Sequence, residues 1–249
     1  MTDYATDRAT DSSDATDSPR ATDTPRWTVV VPVKRLTGAK SRLVDGLPGD
    51  PEGALRRGLA RAFALDTLTA VLSAETVGAV VLVSSEPLVL DELRADPRVV
   101  VVPDPGGLTA AVVAGIERAA TNRPDARCAV LLGDLPALTG GVLDETLGLA
   151  AAHPRAVVPD ADGTGTTLLT GRTPSDLRPA FGPGSAAKHV AAGHVALERA
   201  PGRARRDVDT VLDLEAAVGL GVGPRTAHVL AGLAGRGMPG APDGPGVRT

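Results

Sequence analysis

The sequence predicts an α/β domain built on a mostly parallel central sheet with helices on both faces. Short runs of β-branched residues alternate with longer segments whose apolar side chains recur at helical spacing, the pattern of repeated strand-helix units. The first strand runs, Trp27–Val33, Val77–Ser84, Val99–Val102 and Cys128–Leu132, carry no charge and are mostly apolar instead of alternating, as strands covered on both faces are expected to be. Aromatic residues make up only 2% of the chain, so the core has to be packed from Val, Leu and Ala.

Trp27–Val33 is the first such strand, and a helix over Pro51–Ala74 follows, with Leu55, Leu59 and Phe63 about one turn apart. Val77–Ser84 reads as a strand, Pro87–Ala95 as a helix, Val99–Val102 as a strand, Leu108–Ala120 as a helix and Cys128–Leu132 as a strand. Next come a helix at Leu143–Ala152, strands at Ala156–Val158 and Thr166–Thr170, a helix over Ser185–Ala192 and a strand at Val195–Arg199. Helices around Leu212–Val218 and Arg225–Leu233 close the core. No linker-like stretch divides Trp27 from Leu233, so residues 27–233 form one domain.

The flanks differ in kind. Residues 1–26 repeat Ala-Thr-Asp at Ala5, Ala9, Ala15 and Ala21 and offer almost no apolar surface to offset the entropy of ordering, which predicts a disordered tail. Residues 234–249 are rich in Gly and Pro and are expected to be flexible.

Charge and cysteine usage exclude several classes. Of the formal net charge of −4, the first 26 residues contribute six Asp against three Arg, which leaves the core near neutral. With no basic stripe and few aromatics, the chain lacks the means to neutralise a nucleic-acid backbone. Cys128 is the single cysteine, and His153, His189, His194 and His228 show no zinc-ligand spacing. No apolar run reaches the roughly 18 to 20 residues of a membrane span, and the N-terminus lacks the order of a signal peptide. A cytoplasmic protein is expected.

In parallel sheets ligands bind at the carboxyl ends of the strands, and four stretches gather there or nearby. "PVKRLTGAKSRL" (Pro32–Leu43) follows the first strand and sets Lys34, Arg35, Lys40 and Arg42 around Gly38. It is no P-loop, since Ala39 separates Gly38 from Lys40 and Val33 stands where the first glycine belongs. Its cations suit a triphosphate, or simply a solvated loop. "VLLGDLPAL" (Val130–Leu138) ends an apolar strand in Asp134, placed to hold Mg²⁺ or to cap a turn. "DADGTGTTLLTGRTPSDLRPAFGPGSAAKHV" (Asp160–Val190) holds two clusters of Gly, Thr and Ser, a composition that suits either an anion pocket or two ordinary turns. "RRDVDTVLDL" (Arg205–Leu214) sets Asp207 and Asp209 on one face if extended, one of them a candidate second metal ligand, ahead of a helix capped by Thr210 or Asp213.

Together, and in this order, "PVKRLTGAKSRL", "GDLPAL", "DADGTGTTLL", "FGPGSAAKHV" and "DVDTVLDL" resemble the guanylyltransferases of coenzyme F-420 biosynthesis, over about Trp27 to Leu233. That group includes enzymes acting on 2-phospho-L-lactate and relatives that use phosphoenolpyruvate. The resemblance implies a Rossmann-like, GT-A-like nucleotidyltransferase fold that binds GTP and Mg²⁺ and joins GMP to a small phosphorylated three-carbon acid. It further implies metal ligation by Asp134 and Asp207, with Asp209 the substitute. Thr167, Gly182 and Ser185 would hold the acid, Lys40 and Lys34 would face the triphosphate, and Pro32, Leu108 and Thr109 would lie beside the nucleotide. Phosphoenolpyruvate is the expected acceptor, with 2-phospho-L-lactate and 3-phospho-D-glycerate as alternatives, and a homodimer is left open. The chain departs from the family at Thr109, where Asn is common, and at Lys188, where Arg is frequent.

Overall fold

The structure, a computed structural model, describes residues 26–36, 43 and 53–234. The predicted tails, apart from Arg26 and Ala234, and residues 37–42 of the basic loop with Lys40 and Arg42 lie outside the described residues.

A seven-stranded sheet runs in the order β3-β2-β1-β4-β6-β5-β7. Its strands are β1 (Trp27–Val33), β2 (Val77–Ser84), β3 (Val99–Val102), β4 (Cys128–Leu131), β5 (Arg155–Pro159), β6 (Thr166–Gly171) and β7 (Val195–Ala196). The helices are α1 (Ala54–Ser73), α2 (Pro87–Leu93), α3 (Leu108–Asn122), α4 (Gly140–Ala151), α5 (Ser185–Ala191), α6 (Gly202–Arg205), α7 (Val211–Leu220) and α8 (Pro224–Ala234). β1 pairs in parallel with β2 and β4, β2 with β3, and β5 with β7, while β6 alone runs antiparallel to its neighbours β4 and β5. The sheet is therefore mostly parallel, as the sequence predicts.

Alternation along β1 sorts the core into two layers. Val29, Val31 and Val33 pack with Leu65, Leu68 and Val71 of α1, Leu90 of α2 and Leu143 and Leu147 of α4. Val30 faces the other way, onto Ala111, Val112 and Ala119 of α3. Gly115 brings α3 so close to this second face that a methyl group there would overlap Val30 and Val83. A third cluster joins Leu59 and Phe63 of α1 to Val208, Leu214 and Ala217, which fastens the C-terminal helices to the body.

Two expectations need correction. β3 is half-buried along its whole length instead of covered on both faces, because it is the outer strand of the sheet. The strand expected over Val195–Arg199 stops at Ala196; Leu197 still donates to the Val157 carbonyl at 2.8 Å, but its own carbonyl accepts from Ala200 N at 3.0 Å and turns the chain. α6 and a single 3-10 turn at Pro174–Asp176 escaped the periodicity because each is shorter than one apolar repeat.

Cys128 lies in the centre of the sheet, and burial pushes its thiol up to about 12. The native protein is expected to resist a thiol reagent such as DTNB until it is unfolded. Labelling of the folded protein at the rate of a free thiol would contradict this packing.

Candidate active site at the carboxyl edge of the sheet

The parallel strands β3, β2, β1 and β4 end along one edge. Because β6 is reversed, its first residues, Thr166 and Thr167, reach the same edge beyond the Leu131–Leu168 pair. Main-chain bonds then draw the separate candidate stretches together there. Leu132 N donates to the Thr167 carbonyl at 3.0 Å, and Val208 N donates to the Asp134 carbonyl at 3.1 Å. The second bond brings the main chain at Asp207 next to that at Asp134, and both residues are half-buried. On the other side, Gly133 packs against the Pro32 carbonyl, so the chain before Asp134 adjoins the end of β1, which the exposed Lys34 and Arg35 follow.

Asp209 is exposed, and its N–H donates to Asp213 Oδ2 at 3.3 Å. Asp213 itself is committed to the helix: it accepts from Thr210 N and Oγ1, takes the Arg206 guanidinium at 3.1 Å, and returns its N–H to Thr210 Oγ1. Thr210 is thus the N-cap of α7 in a capping box, the structural role the sequence assigns to this pair.

The basic loop is fastened by a residue the motif reading missed. Glu86, buried just past β2, accepts the Leu36 N–H on Oε2 at 3.0 Å, so the segment carrying Lys34 and Arg35 is anchored at both ends. A Glu immediately before Pro87 at a helix start is the signal that points to it. Leu108 and Thr109 open α3 after Gly106 and Gly107, both at positive φ, and Asp104 N bonds Ser85 Oγ at 3.0 Å to hold this turn against the end of β2.

The two Gly/Thr/Ser clusters also meet. Asp160 folds the first into a tight turn by accepting Thr164 N and Gly165 N at 2.9 and 2.7 Å. Arg205 clamps the same turn through the Pro159 and Asp160 carbonyls. Ala186 N reaches back to the Thr164 carbonyl at 3.1 Å, which joins the first cluster to the second. Gly182 and Gly184 have φ of 119° and 68°, and nothing lies within 4 Å of where a Cβ would stand, so the backbone is open to a ligand. The hydroxyls of Thr167 and Ser185 are buried beneath this surface, the first donating to the Ala204 carbonyl at 2.7 Å and the second to Thr166 Oγ1 at 3.1 Å.

His189 is fully buried under the same loop, with Nε2 accepting Ala180 N–H at 2.8 Å and Nδ1 at 2.9 Å from Thr166 Oγ1. Burial, then the nearby His194 and Lys188 charges, lower it from the ordinary 6.5 to about 4. His194 is lowered too, by burial first, with Arg155 and Arg178 adding to the effect against its bond to the Ala156 carbonyl. The folded chain therefore keeps His189 neutral while the unfolded chain protonates it. This contribution to stability is complete above pH 6.5 and is lost as pH falls toward 4. The melting temperature of His189→Gln is expected to fall less steeply than the parent's across that window; parallel curves would remove His189 from the pH dependence.

Among the described residues, no three His, Cys, Asp or Glu side chains form a group able to hold a metal ion. Magnesium does not require one, since a carboxylate or two, substrate phosphates and water commonly complete its shell. The pair of Asp134 and Asp207 fits that chemistry. A groove of about 520 Å³ between the last turns of α4 and the turn after β7, lined by Leu149, His153, Leu197 and Arg199, contains none of these candidates. Among the described residues, no helix is long and apolar enough to cross a membrane.

A reversed strand set beside a parallel group, with helices packed around the sheet, defines an α/β fold that solved transferases also adopt. Solved structures share the fold: a nucleotidyl transferase from Methanothermobacter thermautotroptrophicus has a TM-score of 0.51 at 18% identity, covering 83% of this chain and 99% of that one. A protein from Desulfovibrio desulfuricans G20 has a TM-score of 0.60, also at 18% identity, covering 84% of this chain and 95% of that one. The family model described as "Guanylyl transferase CofC like" matches residues 27–199, and the chain belongs to that family. A phosphoenolpyruvate guanylyltransferase of Streptomyces scabiei (strain 87.22) is 50% identical over 213 residues, covering 83% of this chain and 97% of that protein.

Proposed function

We propose that this protein transfers GMP from GTP to phosphoenolpyruvate, giving enolpyruvyl-diphospho-5'-guanosine and pyrophosphate, as a cytoplasmic step of coenzyme F-420 biosynthesis. Membership of the guanylyl transferase family supports the reaction class, and the bond from Val208 N to the Asp134 carbonyl, which brings the chain at Asp207 next to the chain at Asp134, supports that pair as its candidate carboxylates. The acceptor follows the Streptomyces scabiei relative, to which the likeness extends over nearly that protein's full length.

In this reading a phosphate oxygen of phosphoenolpyruvate attacks the α-phosphorus of GTP. The new P–O bond forms as the bond from that phosphorus to the β-phosphate oxygen breaks, and pyrophosphate leaves with the electron pair. The attacking phosphate is already anionic at neutral pH, so no general base is needed. This agrees with a site whose buried His189 is occupied by structural bonds. Lys34 and Lys40 neutralise the triphosphate, Pro32, Leu108 and Thr109 border the nucleoside, and the surface around Thr167, Gly182 and Ser185 holds the acid. Asp134 and Asp207, with Asp209 as substitute, would hold Mg²⁺, which when bound supplies charge stabilisation on the phosphates.

Pyrophosphate release should be measured with GTP and Mg²⁺ over phosphoenolpyruvate, 2-phospho-L-lactate and 3-phospho-D-glycerate. The first two acids differ in shape at one carbon, so their kcat/KM values are expected to differ by about 1 to 3 kcal/mol in favour of phosphoenolpyruvate. A preference for another acid would replace the acceptor and keep the reaction, whereas no release with any acid would point to a nucleotide-binding regulator without turnover.

A further inference from the structure

We infer that His189 is the positioning residue of the acceptor pocket, holding the 178–184 loop, the start of β6 and the first turn of α5 in one fixed arrangement. The inference rests on the proposed reading that this loop holds the acid substrate.

The direction of the hydrogen bonds follows from what each partner can do. Ala180 N–H can only donate, so Nε2 must present its lone pair to it at 2.8 Å. The neutral ring then carries its proton on Nδ1 and donates to Thr166 Oγ1 at 2.9 Å. That oxygen also receives the Ser185 hydroxyl at 3.1 Å. Ser185 and His189 stand four residues apart on one face of α5, so a single helical turn carries both contacts. The ring also packs T-shaped with Phe181, with centroids 5.1 Å apart and planes at 70°. Ala180 and Phe181 immediately precede Gly182, and Thr166 immediately precedes Thr167. One side chain therefore touches a neighbour of each of two candidate acceptor residues and bonds the third through a shared hydroxyl.

His189 has no exposed surface, so it acts on substrate only through these neighbours. A histidine serving the core alone would alter stability and leave the two Michaelis constants in proportion. A positioning role alters KM for the acid selectively, because the nucleotide side of the site is built by β1, Glu86 and the start of α3.

Two variants separate the halves of the network. His189→Gln extends an amide oxygen to the Nε2 position and keeps an acceptor for Ala180, whereas His189→Asn reaches only as far as Nδ1 and loses it. KM for phosphoenolpyruvate is expected to rise about 10-fold in His189→Asn and at most about threefold in His189→Gln, with KM for GTP unchanged in both. Equal changes in both KM values, or no acid-specific rise in His189→Asn, would overturn the inference. Should His189→Asn fail to fold, nitrogen-15 NMR of the parent protein decides: the proton on Nδ1 supports the network and the proton on Nε2 refutes it. Absence of turnover in the parent with every acid would instead overturn the reading of the site, and the inference with it.

Discussion

Replacing Asp134 with Asn is expected to lower kcat by on the order of 100-fold or more while leaving the melting temperature within a degree or two of the parent's. An amide keeps the size of the side chain but removes the negative charge that a magnesium ion requires. The main-chain carbonyl of residue 134, which accepts from Val208 N, is the same in either form. Fold and activity should therefore separate in this variant. Steady-state rates over a magnesium titration, with a thermal melt beside them, make the comparison, and turnover near the parent's would remove Asp134 from the site. Asp207→Asn is expected to behave alike, and Asp209→Asn to lie close to the parent. The reverse order would assign the second ligand to Asp209.

Asp66→Ala is expected to cost about 2 to 3 kcal/mol of stability without touching the chemistry. Asp66 lies on α1, is 3% exposed, and accepts Arg225 N at 3.1 Å and Thr226 N at 2.9 Å. It serves α8 as an N-cap supplied from a distant helix, with Pro224 ahead of those two donors needing no partner of its own. Alanine would leave two amide groups in a largely dry junction with nothing to donate to. For a domain of this size the melting temperature should fall by roughly 5 to 10 °C. The neighbouring pair of Arg225 and Glu92 is partly exposed and is expected to contribute little by comparison. A melt unchanged to within a degree would show that α8 is held by its apolar contacts alone.

Much of this architecture is legible in the residues because burial on both faces leaves a plain trace. Trp27–Val33, Val77–Ser84 and Cys128–Leu132 read as strands since β-branched and other apolar residues dominate them and no charge interrupts them. The reversal of β6 is less accessible: it depends on Asp160 closing a turn onto the amides of Thr164 and Gly165, a bond of the folded chain that a Gly/Thr-rich stretch only permits. The same limit applies within the site. The sequence points to Asp134, Asp207, Thr167 and Ser185, but hydroxyl direction is set by tertiary partners, and here both hydroxyls turn inward to Ala204 and Thr166. His189 gave no signal of its own because a single histidine at a helical position looks like any other buried side chain until Ala180 and Thr166 are placed around it. Glu86 is similar, being visible as a helix start but not as the anchor of a loop some fifty residues earlier.

The bond between Val208 and Asp134 also bears on the order in which the molecule becomes competent. Every strand of the sheet has been synthesised by Ala196, so the body can collapse before the ribosome has released the segment that completes the carboxylate pair. The only tryptophan, Trp27, is 3% exposed at the amino end of β1, against the Arg127 guanidinium, and it reports on that body and not on the strand ends where the carboxylates meet. In refolding, its emission and pyrophosphate release therefore follow different ends of β1, and a lag of the second behind the first would show a body formed before its C-terminal segment docks.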